Sequence, residues 1–216
     1  MGQIERAFNF MYKHIVFDVD GTLIDTASVC RKSLQRLVLS RTGRVISPQE
    51  CDFAFGMTSE NALTAFGLAP TKDILDEWNG YFNDIIDVEA KVFSGVSELL
   101  TELRRRGVKL GLLTSRCFSE MGIDPNLEGI LHFFDEIVSA DDTTEHKPKP
   151  EPMLLYLSRT GVRADEVLYI GDTVYDYQCA TGAGVPFALA GWGALNADEV
   201  PPCYVPKTPG EVLLLL

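Results

Sequence analysis

The 216-residue sequence predicts an α/β fold in which a doubly wound parallel sheet is covered on both faces and an all-α segment is inserted after the first strand. Three observations lead there. Short, continuously apolar runs of strand length recur at 15–17, 108–113, 136–139, 167–170 and 187–190, and such runs suit strands buried on both faces. Amphipathic helical stretches separate the later runs. Between the first run and the second, residues 25–91 carry helical spacing throughout.

The first run ends in Asp-Val-Asp-Gly-Thr at 18–22. In the helical stretch, Cys30, Leu34, Leu37 and Val38 fall at i, i+4, i+7 and i+8, and Ile74, Trp78, Tyr81 and Phe82 share that face-forming spacing. Trp78 therefore reads as core of a helix pair before it reads as a ligand contact. Arg41 and Arg44, in the turn SRTGR, are candidates to reach a substrate anion, although solvation of a helix end accounts for them more simply. A helix is expected over 94–106, its stripe formed by Val96, Leu99, Leu100 and Leu103, with Arg104, Arg105 and Arg106 against the helix dipole and Gly107 as terminator. Further helices are expected near 153–159 and 174–181. In the loop HKPKPEP, prolines at alternate positions are expected to hold the backbone extended until Pro152 opens a helix.

Composition narrows the partners. Asp plus Glu total 31 against 19 Lys plus Arg, and a net charge of −12 disfavours nucleic acid and anionic membrane as partners. Solubility accounts for most of that charge. Five cysteines (Cys30, Cys51, Cys117, Cys179, Cys203), odd in number and without a CxxC pair, fit reduced thiols in a cytoplasm better than disulfides or a zinc site. The opening MGQIERAFNFMYKH has no long apolar run, so neither a signal peptide nor a membrane span is expected, and Arg6 stands where a myristoylation signal needs Ser or Thr. A cytoplasmic protein is the expectation; monomer and dimer fit equally.

The polar residues gather at strand ends. Asp18 and Asp20 follow the first strand, Thr114 and Ser115 the second, Lys147 lies in the loop after the third, and Asp172 follows the fourth. In open α/β sheets, ligands bind in the crevice beyond those C-terminal ends. One Asp-x-Asp pair carries little; four such sets on one edge define a site. A helix beginning near Thr173 puts Asp172 and Asp176 one turn apart on one side. Asp172 also suits a helix N-cap, and Asp176 suits capping or support as readily as direct ligation. Asp18, Asp20, Asp172 and Asp176 crowd four carboxylates against one lysine, which needs a divalent cation. Oxygen-only ligands select a hard ion, and Mg²⁺ is the usual choice where phosphate completes the shell.

DVDGT at 18–22, the strand ending in Thr114, KPKP at 147–150 and GDTVYD at 171–176 resemble, in order, the four motifs of the haloacid dehalogenase superfamily. The resemblance spans nearly the whole chain. It implies a Rossmann-like catalytic core formed by 1–24 and 93–216, with a C1-type helical cap at 25–92. The tail GDTVYDYQCATGAGVPFALAGWG is similar to the phosphoglycolate phosphatase and pyrophosphatase-like branch. By this resemblance Asp18 is the nucleophile that forms an aspartyl-phosphate, and Asp20 is the general acid/base whose main-chain carbonyl also meets Mg²⁺. Thr114 and Ser115 bind the phosphoryl group, Lys147 neutralises charge beside it, and Asp172 and Asp176 serve the metal. Ser94 replaces a proline frequent in the family, at no catalytic position. The implied substrate is a small phosphorylated metabolite, a phosphoglycolate-like monoester or pyrophosphate. Rival readings are a dehalogenase, disfavoured by Asp20; a sugar phosphomutase, disfavoured because Ser59 stands where an arginine is usual; and a non-catalytic phosphate-binding module.

Overall fold

In chain order, β1 (His14–Phe17) leads to a two-residue strand β2 (Ile24–Asp25) and then to helices α1 (Ala27–Thr42), α2 (Pro48–Cys51), α3 (Ser59–Ala65) and α4 (Lys72–Glu89). Strand β3 (Lys91–Val92) returns antiparallel beside β2, pairing Val92 with Ile24 and Lys91 with Asp25. There follow α5 (Val96–Arg105), β4 (Lys109–Leu113), α6 (Phe118–Met121), α7 (Pro125–Leu131) and β5 (Glu136–Val138). The chain continues through α8 (Glu151–Thr160), β6 (Val167–Gly171), α9 (Val174–Gly182) and β7 (Phe187–Leu189). This computed structural model describes residues 12–201 and 204–216; the N-terminal segment for which no leader is expected, and Cys203, lie outside them. Among the described residues no helix is long and apolar enough to cross a membrane.

The main sheet has five strands in the order β5-β4-β1-β6-β7, all parallel. The chain winds outward from β1 through β4 to β5, then crosses to β6 and β7 on the other side. Central β1 is thus the switch point, where a crevice opens at the strand ends. The strands read as unbroken apolar runs because each face has its own helical layer. Ile15, Phe17, Leu110, Leu112, Leu168 and Ile170 pack with α5 and α7, through Leu99, Leu100, Leu103, Leu127 and Ile130. Val16, Leu113, Val167 and Tyr169 point the other way, against Met153 and Tyr156 of α8 and Cys179 and Ala180 of α9. Full burial of each such aliphatic side chain contributes about 1.5–3 kcal/mol.

Between β2 and β3 the helices build a small cluster of their own from Leu34, Val38, Ile46 and Cys51, with Phe66, Leu68 and Trp78 packed against it. Trp78 packs against this cluster but stays partly buried, and its Nε1 donates to Ser33 Oγ at 3.0 Å. Bonds that tie this segment to the sheet's edge include Ser115 Oγ to the Gly56 carbonyl at 2.8 Å, Ser59 Oγ to Glu120 Oε1 at 2.6 Å, and Tyr175 OH to the Phe53 carbonyl at 3.4 Å.

Three local expectations change. Helix α5 starts at Val96 rather than Ser94, because Gly95 caps it in a left-handed conformation (φ 89°) that a right-handed helix interior cannot hold. The 146–152 loop is a turn rather than an extended run: the Lys147–Pro148 peptide is cis, and the Lys149 amide donates to the His146 carbonyl at 2.8 Å. Helix α8 then begins at Glu151, with Pro150 as its cap and Pro152 in its first turn, where a missing N–H costs nothing. Helix α9 is capped by Thr173, not Asp172, and this leaves the Asp172 carboxylate free of that task.

Candidate active site

Two glycines and two ladder extensions set the site. Asp18 prolongs β1, its amide donating to the Ile170 carbonyl at 2.9 Å, and Thr114 prolongs β4, its amide donating to Val138 at 3.0 Å. Gly21 then turns the chain with φ +75°, and a Cβ there would land on the Asp172 carboxylate. A Cβ on Gly193 would land on the Gly21 carbonyl. Both positions need glycine for the close approach itself. We expect Gly21→Ala to displace Asp172 and to lower metal affinity tenfold or more, by analogy with about 10–100-fold for groups that orient a ligand; a titration of metal binding by calorimetry reads it.

Asp18, Lys147, Asp172 and Asp176 are all buried, none more than 3% exposed. Lys147 Nζ donates to Asp18 Oδ1 at 2.7 Å and to Asp176 Oδ1 at 2.8 Å. Asp176 is saturated. Its Oδ1 also accepts from Tyr169 OH at 2.8 Å, and its Oδ2 takes the Thr173 amide at 3.1 Å and hydroxyl at 2.6 Å. Asp172 is nearly bare, receiving Thr22 Oγ1 at 3.3 Å. Burial pushes the Asp18 carboxyl up, and with Asp176 and Asp20 it outweighs Lys147, leaving Asp18 raised to about 7. Burial, then the charges of Asp176 and Asp18, hold Asp172 well above the usual carboxylate range. Burial works against the Lys147 ammonium, but Asp176 and Asp18 overcome it and raise its pKa.

Asp18, Asp172 and Asp176 each offer an oxygen, all within 4.8 Å of one another. An all-carboxylate set, with a buried Asp172 whose lone pairs go largely unmatched, fits a hard divalent cation. The raised carboxyls also set a pH dependence. With burial raising the Asp18 carboxyl from 3.8 to about 7, the folded chain binds more protons than the unfolded one between those values. Stability of the metal-free protein therefore falls as pH rises through that window. Melting curves in EDTA should show a decline from pH 5 to about 7.5 that saturating Mg²⁺ flattens; identical slopes with and without the ion would contradict the linkage.

Asp20 has different company. Arg116 grips it with Nη2 at 2.6 Å and Nε at 2.9 Å, while Thr26 Oγ1 donates at 2.6 Å. The remaining guanidinium arm reaches buried Asp124 at 2.9 Å. Burial alone would raise the Asp20 carboxyl; Arg116 and then Thr26 reverse the sign and lower it. Arg116 is the site residue that sequence reading misses. It sits two positions past Thr114, in a loop with nothing to mark it. Asp124 is visible only as the N-cap before Pro125.

Thr114 Oγ1 accepts the Arg116 amide at 3.1 Å and keeps its own hydrogen to donate. Ser115 spends its hydrogen on the Gly56 carbonyl. Arg41 lies with Glu77 and Asp73, and Arg44 with Glu50, and neither lines the cavity at the site. That cavity, about 100 Å³, runs from Asp18, Asp20 and Lys147 to Leu34, Trp78 and Phe82 of the helical segment.

A family model described as haloacid dehalogenase-like hydrolase matches residues 15–190. A provisionally named pyrophosphatase PpaX of Caldanaerobacter subterraneus is 31% identical, over 84% of this chain and 82% of that one. A phosphoglycolate phosphatase of Pectobacterium atrosepticum is 28% identical, over 79% of this chain and 76% of its own. Among solved structures, a provisionally named phosphoglycolate phosphatase from Lactobacillus plantarum superposes with TM-score 0.85 at 28% identity, covering 96% of this chain and 100% of that one.

Proposed function

The chain belongs to the haloacid dehalogenase-like hydrolases and is a phosphatase among them, and from that premise we propose that it hydrolyses a small phosphorylated metabolite with Mg²⁺ through an aspartyl-phosphate on Asp18. The observation that carries this reading is the buried Lys147 ammonium bridging Asp18 and Asp176 beside a nearly unpartnered Asp172. Phosphoryl transfer needs an in-line nucleophile and fixed positive charge more than covalent machinery, and this reading gives those two roles to Asp18 and Lys147.

Asp18 attacks phosphorus, while the Thr114 hydroxyl and Lys147 hold the transferring oxygens. Asp20 gives a proton to the departing alkoxide and then takes one from the water that opens the acyl phosphate. Arg116 favours the Asp20 carboxylate, the form that accepts the water's proton. Asp18, Asp172 and the Asp20 carbonyl would hold Mg²⁺, which when bound neutralises charge between carboxylates and phosphoryl oxygens. Asp176, with both oxygens committed, positions Lys147 and caps α9 rather than ligating. The helical segment, 25–92, acts as a lid over a core of 1–24 and 93–216. Pyrophosphate and phosphoglycolate, named by the relatives, are the first compounds to assay.

Phosphate release over a metabolite panel tests the reading: activity should vanish in EDTA and return with Mg²⁺, and full activity in excess chelator sinks the metal site. Asp172→Asn should raise the Mg²⁺ concentration needed for half-activity by about 10–100-fold. Asp176→Asn should lower kcat with a smaller change in that requirement; the reverse order would exchange the two roles.

A further inference from the structure

We propose that the physiological leaving group is uncharged and largely apolar, so that this enzyme favours phosphate monoesters lacking a second anion. The inference rests on the phosphatase reading and concerns the half of the cavity that receives the alcohol. Besides Asp18, Asp20 and Lys147, the cavity is lined by Leu34 of α1, Phe55 and Met57 of the stretch before α3, and Trp78 and Phe82 of α4. The single polar atom of the Trp78 side chain is already engaged, donating to Ser33.

Charge on the wall points the same way. Among the described residues that line the cavity, Lys147 and Arg116 are the only cations. Lys147 stands at the phosphoryl position, between Asp18 and Asp176. Arg116 gives its fork to Asp20 and its remaining arm to Asp124, so neither cation is left for a substrate carboxylate or second phosphate. Arg31, beside the Phe55 ring, is bound to Asp52 at 2.7 Å and does not line the cavity. Glu120 adds a negative charge to the wall, fixed by the Cys117 amide at 2.9 Å and the Ser59 hydroxyl at 2.6 Å.

A second anion on the substrate would sit there desolvated, unpaired and facing a carboxylate, an arrangement that costs heavily. An aliphatic or aromatic body in the same place only sheds water. Asn79, on the same wall, can bond one hydroxyl. The whole cavity, its phosphoryl end included, holds about 100 Å³, several times what one water occupies, so the alcohol it admits is compact.

Four probes test this on the full chain with Mg²⁺: benzyl phosphate, 2-phosphoglycolamide, 2-phosphoglycolate and pyrophosphate. The amide and the acid match in size and differ in charge. Benzyl phosphate should exceed phosphoglycolate in kcat/KM by about 30-fold or more, and the amide should exceed the acid by about tenfold. Asn79→Arg places a cation on the wall and should move the amide-to-acid ratio about tenfold toward the acid. That ratio is read within one preparation and does not depend on how much of the variant folds. Phosphoglycolate or pyrophosphate as the fastest probe, or a ratio unmoved by Asn79→Arg, overturns the inference and leaves the phosphatase reading standing. No phosphate from any of the four overturns both.

Discussion

Asp18→Asn yields no product from any substrate, a loss of at least about 10⁴-fold, because it removes the attacking group itself. Its neighbour two residues on should fail in a different way. Asp20→Asn cannot protonate an alkoxide, but p-nitrophenolate leaves as a stabilised anion and barely needs that proton. With p-nitrophenyl phosphate the variant should release about one p-nitrophenolate per enzyme in a burst and then slow, as covalent intermediate accumulates. With benzyl phosphate the burst should be absent. Substitution also unpairs one side of Arg116, which keeps Asp124 as its second carboxylate, so the site is expected to stay folded. Rapid quench with both substrates decides the assignment; a burst from Asp18→Asn would exchange the two roles.

Lys147→Met should damage stability and activity together. Lys147 is 3% exposed, and its ammonium touches Asp18 and Asp176, with Asp172 in the same cluster. Removing one member of a buried ion pair costs about 3–5 kcal/mol, which in a chain of this size lowers Tm by roughly 6–20 °C. The loss should be smaller at pH 5 than at pH 8, since protonated carboxyls no longer repel. Mg²⁺ should restore part of the stability but not the turnover, which should stay down by about 10³-fold. A metal-free variant that melts within about 2 °C of the parent at pH 8 would show that the carboxylates do not depend on this lysine.

The sheet was legible in the sequence because its strands are covered on both faces, so alternation vanishes and each strand appears as a short apolar block. The residues at their ends were legible for a related reason: Asp18, Thr114 and Asp172 interrupt those blocks with polarity at a repeated place. Arg116 gave no such sign, since its meaning lies in Asp20, far off in sequence, and an arginine in a loop looks like any solvated charge. The β2–β3 ribbon was invisible at two residues per strand. The turn at 146–152 was misread because proline alone restricts φ but does not choose between extended and turning backbone. Helical spacing put Trp78 on the face toward the helical cluster and could not show that the same residue also walls the cavity.

Central placement of β1 carries a consequence for how the chain is made. His14 to Phe17 are synthesised before both of their partners, pairing on one side with Lys109 to Leu112 and on the other with Val167 to Ile170. The four helices between β2 and β3 emerge before either partner and can pack on one another through local contacts. The sheet, in contrast, has no centre until residue 170 has left the ribosome. Until β4 emerges β1 is an apolar strand with both edges open, and one edge stays open until β6 follows, the kind of segment that chaperones bind and that aggregates when they do not. Stalled chains ending near 140 should therefore contain a protease-resistant helical segment and a protease-sensitive β1, and full resistance of β1 should appear only once β6 is complete.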